Sequence, residues 1–179
     1  MDNNTFILKK YEGKKKRLPS ILTLDEFIKV IKETKKPHHK LAFKLGFLCG
    51  LRISEILKLQ PTDIDYSRRL LFIRQSKWNK DRYVPFPKNL GKELKHLPIK
   101  KCGVRALQIS FKKKCNEVLG RDLHFHCLRH SSASFYLDKG MNLVQVQQLL
   151  GHARLSTTSI YLHVNPKQTQ NAMDEIWGD

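Results

Sequence analysis

Between positions 124 and 163 the chain reads HFHCLRHSSASFYLDKGMNLVQVQQLLGHARLSTTSIYLHV, which sets His126, Arg129 and His130 at the mouth of one helical pattern, His152 just past the next, and Tyr161 nine residues later. Upstream, Arg52 stands in GLRISEIL and Lys77 in SKWNKDRYVPF. These residue types suit chemistry at a phosphodiester in DNA. Its non-bridging oxygens carry charge and gather more in the transition state, so two guanidinium groups, Arg52 and Arg129, form a natural clamp. A tyrosine hydroxyl becomes a nucleophile when an imidazole and a positive field help remove its proton, which assigns Tyr161 and His126. The departing 5′ oxygen needs a proton, and Lys77 on a hairpin loop can reach it, with Lys80 competing for that role. His152 can donate a further hydrogen bond to the phosphate. No carboxylate cluster suggests a divalent metal, so neither a metal nor another cofactor is expected. A zinc site at His126, Cys127, His130 and His152 is conceivable, but a second paired ligand set is lacking and Arg129 would repel a cation.

The elements that must position these groups are mostly helical, with one hairpin. TLDE at 23–26 is a capping box that opens a helix with Leu24, Phe27, Ile28 and Ile31 on one face and a stop near Pro37. A second helix through LAFKLGFLC breaks at Gly50, and RISEILKL resumes helical spacing before Pro61, so Arg52 sits at a helix junction. RLLFIR and RYVPF read as strands around SKWNKD. Val104, Leu107, Phe111, Cys115 and Val118 keep a helical stripe that ends at Gly120. Three short helices follow. The first has Leu128, Ser132, Phe135 and Tyr136 on one face up to Lys139-Gly140; Asn142 caps the next, which Gly151 ends; Ser156 caps TTSIYLHV. Asn165-Pro166 opens a last helix through Trp177. The fold class expected is α+β, mainly α-helical, with a small β-hairpin or sheet.

The 179 residues suffice for one domain with a real core. Charge is the unusual quantity: 34 Lys and Arg against 16 Asp and Glu leave +18, which points to a polyanion as partner. Charge alone does not choose among DNA, RNA and anionic lipid. MDNNTF has no apolar stretch behind it and the best apolar run is short, so no signal peptide or membrane span is expected, and the location is cytoplasmic or nucleoid-associated. Cys49, Cys102, Cys115 and Cys127 lack a CxxC pair and read as reduced core thiols. Residues 1–17 form a basic arm in which Lys14, Lys15, Lys16 and Arg17, like Lys80, are candidate phosphate contacts.

Four blocks in order, GLRISEIL, SKWNKDRYVPF, HCLRHSSASFYLDKG and QQLLGHARLSTTSIYLHV, resemble the tyrosine recombinases, or phage-type integrases, in their Xer-like branch. The resemblance covers nearly everything from about Leu18 onward and makes residues 18–179 a catalytic domain. It implies attack on double-stranded DNA by Tyr161, a 3′-phosphotyrosyl link, release of a 5′ hydroxyl and rejoining, without ATP or metal. Glu55 and His130 take the places that orient the arginines and the histidine. Such enzymes assemble as tetramers on DNA, and a free monomer is expected here; the helix 166–177 is a candidate for docking on a neighbour. Family members usually carry a separate N-terminal core-binding domain, in whose place this chain has the basic arm, so an accessory chain is an open possibility. Two rivals remain. ASFYLDKGMNLVQVQQLLG also fits a helix-turn-helix regulator, and a recombinase-like protein can bind DNA without cutting it.

Overall fold

Thr23 opens the first helix as the sequence predicts. Its hydroxyl accepts from the Glu26 N–H at 3.2 Å, and the Glu26 carboxylate accepts from the Thr23 N–H at 2.9 Å, so two otherwise orphaned donors are satisfied. The structure, a computed structural model, describes residues 20–74, 81–99 and 102–151. The basic arm, Lys77, Lys80, His152, Tyr161 and the 166–177 segment lie outside the described residues.

Helix α1 spans Leu24–Glu33 and buries Phe27, Val30 and Ile31. Leu24 and Ile28, expected on the same face, are instead 39% and 41% exposed. The apolar stripe is rotated toward Phe27, Val30, Ile31 and Thr34, which keep the same helical spacing. Thr34 tolerates burial because its hydroxyl donates to the Val30 carbonyl at 2.7 Å.

Helix α2 (Pro37–Leu48) starts on a proline, whose missing N–H is no loss at a helix start. It is buried almost all round, through His39, Leu41, Ala42, Phe43, Leu45, Gly46 and Phe47, and so runs through the middle of the core. After it come α3 (Ile53–Lys58), a 3-10 turn (Pro61–Asp63), β1 (Ile64–Asp65), β2 (Leu70–Ile73), β3 (Arg82–Pro85) and a 3-10 helix (Lys88–His96). Helices α4 (Val104–Leu119), α5 (His126–Asp138) and α6 (Leu143–Leu150) complete the described chain. The class is α+β and mainly helical, as expected. Among the described residues no helix is long and apolar enough to cross a membrane.

Helix α2 packs against α5, and α1 against α4. Phe43, Phe111 and Phe125 meet edge to face with centroids 5.1–5.9 Å apart, joining α2, α4 and the loop before α5. The two expected strands gain a third, so the antiparallel sheet runs β1-β2-β3. Leu71, Ile73 and Val84 point into the core while Phe72 and Tyr83 pair on the outer face at 5.1 Å. All four cysteines are free, three are buried and Cys102 is half-buried; burial pushes the Cys49 and Cys115 thiols up to about 12. Gly120 and Gly151 end α4 and α6 with positive φ, as their positions suggest. Asn142 caps α6 by accepting from the Gln145 N–H at 2.9 Å. The α5–α6 pair closes over Ala133, Val146 and Leu150, so the helix pair offered as a DNA-reading motif is a packed unit.

Candidate active site

Arg52 precedes α3 with extended backbone, because Gly50 has turned the chain at the end of α2 with φ +60. The Arg52 N–H donates to Glu55 Oε2 at 2.8 Å and its Nη1 to Oε1 at 3.1 Å, a short loop that fixes the arginine to the first turn of its own helix. Glu55 is 6% exposed. It also receives both ends of a second guanidinium, Arg82, at 2.9 and 3.1 Å. Burial pushes the Glu55 pKa up, but the hydrogen bonds and charges of Arg82 and Arg52 outweigh it and hold the carboxyl below its ordinary value. Glu55 is therefore ionised, and its attachment to Arg52 is charge-assisted.

Arg129 lies in the first turn of α5 and is 3% exposed. Its Nη1 donates to the Gly50 carbonyl at 2.5 Å and its Nη2 to the Leu150 carbonyl. Gly50 lies just beyond the end of α2 and Leu150 is the last residue of α6. Arg129 thus sits at two helix C-termini, where carbonyls without intrahelical partners carry partial negative charge. One side chain ties together the GLRISE, HCLRH and LLGH blocks.

His126 begins α5. Its side chain is exposed at the surface, yet partial desolvation, then the charges of Arg129 and Arg52, push its pKa below the usual histidine value, which favours the neutral imidazole near pH 7. His130, one turn on, faces it with ring centroids 4.5 Å apart. Burial, then His126 and Arg129, push His130 down to about 4. Arg52, Glu55, His126, Arg129 and His130 are therefore brought to one place, with neutral imidazoles among cationic guanidiniums. Such a place attracts an anion and offers an imidazole able to accept a proton.

Lys77 and Lys80 lie outside the described residues, but both strands that frame their loop are described. His152 and Tyr161 also lie outside; Gly151, immediately before His152, is in place. Arg82, bound to Glu55, is the side chain at this place that the motif blocks did not single out. Its signal was present, since alternation in RYVPF puts it on the same side as the buried Val84.

Among the described residues, one trio could offer donor atoms to a metal: His38, His39 and Cys102, whose atoms lie within 4.8 Å of one another. The charge of Lys36 already bears on His39 and on Cys102, which opposes a second cation there.

The sequence pattern of the phage integrase family matches residues 20–168. A tyrosine recombinase of Thermosipho africanus is 34% identical over 90% of this chain and 63% of its own length. The tyrosine recombinase XerA of Pyrococcus horikoshii is 33% identical over 89% of this chain and 62% of its own. The chain thus spans under two thirds of the length of these relatives. Among solved structures, the fold superposes on the XerA recombinase with a TM-score of 0.74 at 21% identity, covering 90% of this chain and 66% of the other. The XerH site-specific recombinase bound to its difH substrate gives a TM-score of 0.71 at 25% identity, covering 94% of this chain and 57% of that one. With the arginine, glutamate and histidine blocks meeting in this fold and the family pattern running through them, the chain belongs to the phage integrase family.

Proposed function

We propose that residues 18–179 form the catalytic part of a tyrosine-type site-specific DNA recombinase. The observation that carries this reading is Arg129, which binds the carbonyls of Gly50 and Leu150 and so gathers three of the four motif blocks around one cationic side chain. A carbonyl stabilises a buried guanidinium without neutralising it, so these two bonds leave its positive charge available toward a phosphate.

In this reading Arg52 and Arg129 bind the non-bridging oxygens of the scissile phosphate, and His152 adds a hydrogen bond. Neutral His126 helps remove the Tyr161 proton. The Tyr161 oxygen attacks phosphorus, the bond to the 5′ oxygen breaks, and Lys77, rather than Lys80, protonates that oxygen. The product is a 3′-phosphotyrosyl ester and a free 5′ hydroxyl. Attack by a second 5′ hydroxyl then expels the tyrosine and rejoins the strands. One phosphate ester is exchanged for another at each step, so no ATP is consumed. Glu55 orients Arg52, and His130 supports His126. The partner is double-stranded DNA, on which monomers assemble as a tetramer; Lys14, Lys15, Lys16, Arg17 and Lys80 contribute non-specific phosphate contacts that weaken as salt is raised.

The test is a nicked suicide duplex carrying a site that the wild-type protein selects from a randomised library. Wild type should give a denaturation-resistant, protease-sensitive DNA adduct, and Tyr161→Phe should give none. Binding without an adduct from wild type would instead identify a DNA-binding protein that does not cut.

A further inference from the structure

Arg82 stands at the start of β3, opposite Ile73 and on the same inward side as Val84. A charged residue on the buried side of a small sheet needs a reason. Its fork closes on both oxygens of Glu55, whose two other bonds come from the N–H and Nη1 of Arg52. A carboxylate offers about four acceptor positions, and the two arginines fill them. With Arg82 in place Glu55 cannot turn, and the direction in which it holds Arg52 is settled.

The other side of Arg82 meets a different block. A Cβ added at Gly151, where φ is +64, would lie 2.7 Å from Arg82 Nε, 2.8 Å from Cδ and 2.9 Å from Cζ. The backbone before His152 is therefore seated directly on the arginine. Arg82 Nε is buried and makes no hydrogen bond among the described residues, so the residue serves here through its fork and its packing surface. Lysine supplies neither a planar face nor two parallel donors.

We propose that Arg82 is a positioning residue for strand cleavage: it locks Glu55 so that Arg52 is aimed at the scissile phosphate, and it seats Gly151 at the end of α6 against the same carboxylate-bound side chain. The proposal rests on the recombinase reading above. Arg82 also joins the start of β3 to the two other motif blocks.

The experiment measures the rate of covalent adduct formation at saturating suicide duplex, with Arg82→Gln, Arg82→Lys, Glu55→Gln and the Arg82→Gln/Glu55→Gln double variant. Thermal melting of each variant sets an assay temperature at which all are folded. Two duplexes are used, one with a normal scissile phosphodiester and one with a neutral methylphosphonate there. On the phosphodiester, Arg82→Gln should slow adduct formation about a hundredfold, the scale of an ångström-sized misplacement. Arg82→Lys should melt closer to wild type yet stay slow, and the double variant should be no slower than the worse single one. On the methylphosphonate, whose charge no longer needs the Arg52 clamp, the loss should shrink. An equal loss on both duplexes, a wild-type rate for Arg82→Lys, or additive losses in the double variant would overturn the proposal while the recombinase reading stands. A wild-type protein that forms no adduct would remove both.

Discussion

Replacing Gly50 by alanine tests the junction on which the site depends, and Gly120→Ala is its internal control. Both glycines adopt left-handed backbone, φ +60 and +63, where a Cβ costs about 1–2 kcal/mol. At Gly120 nothing lies within 4 Å of the added Cβ, so strain is the whole cost. At Gly50 the Cβ would fall 2.4 Å from Leu150 Cδ2 and 3.3 Å from Ser132 Oγ, and Leu150 is fully buried. Overpacking of that kind adds about 1–3 kcal/mol. Gly50→Ala should therefore cost roughly 2–5 kcal/mol, or about 4–20 °C in melting temperature for a chain of this size, against about 2–8 °C for Gly120→Ala. The clash also pushes apart the Gly50 and Leu150 segments, whose carbonyls both bind Arg129. The adduct rate, measured well below either melting point, should fall for Gly50→Ala and stay at wild type for Gly120→Ala. Urea titration and the suicide duplex give both numbers. Equal destabilisation by the two substitutions would refute the close approach, and an unchanged adduct rate for Gly50→Ala would refute its link to Arg129.

Two further outcomes follow from burial. His130 titrates near 4 when folded against an ordinary 6.5, so the folded state binds fewer protons; stability is complete above about 6.5 and declines as pH falls toward 4, and His126 and His39 act in the same sense. The stability advantage of wild type over His130→Gln in urea should shrink by roughly 2–3 kcal/mol between about pH 7 and about pH 4.5, and a difference that does not move with pH would contradict the half-buried neutral imidazole. Phe111 is fully buried against Phe43 and Phe125; Phe111→Ala should cost about 3–5 kcal/mol, and a loss below about 1 kcal/mol would mean that the aromatic cluster is not packed as described.

What the sequence made legible was punctuation and chemistry. Thr23 with Glu26, Asn142 with Gln145, and the glycines at 50, 120 and 151 mark helix ends through local hydrogen bonding and backbone sterics, which act within a few residues and therefore show in the sequence. Arg52, Glu55, His126, Arg129 and His130 were singled out by type, spacing and resemblance, and the fold brings them to one place. The exposed Leu24 and Ile28 were misjudged because α1 has apolar residues on adjoining stripes, and only the partners it packs against decide which is inside. The 3-10 helix Lys88–His96 buries only Leu90 and Leu94, too sparse a signal to announce itself. Two-residue β1 is shorter than any pattern can register.

The less legible part of the site is its support, and the reason is physical. Arg129 is held by the carbonyls of Gly50 and Leu150, groups that every residue possesses and no residue type signals. Alternation in RYVPF turns Arg82 inward with Val84, but its partner Glu55, 27 positions earlier, shows only in the fold. Both devices solve the same problem. Cations collected to receive a phosphate must be desolvated and fixed before the phosphate arrives, or the bound anion would have to supply the ordering cost itself. Two helix ends contribute to this for Arg129 with the partial charges of their carbonyls. Glu55 does it for Arg52 with a full negative charge, and a single carboxylate shared by Arg52 and Arg82 still leaves that triad one positive charge to offer. Removing Arg82 would therefore do more than delete a contact. In the proposed recombinase, it would leave Glu55 neutralising Arg52 one to one, cancelling the charge that the arginine would present to the phosphate.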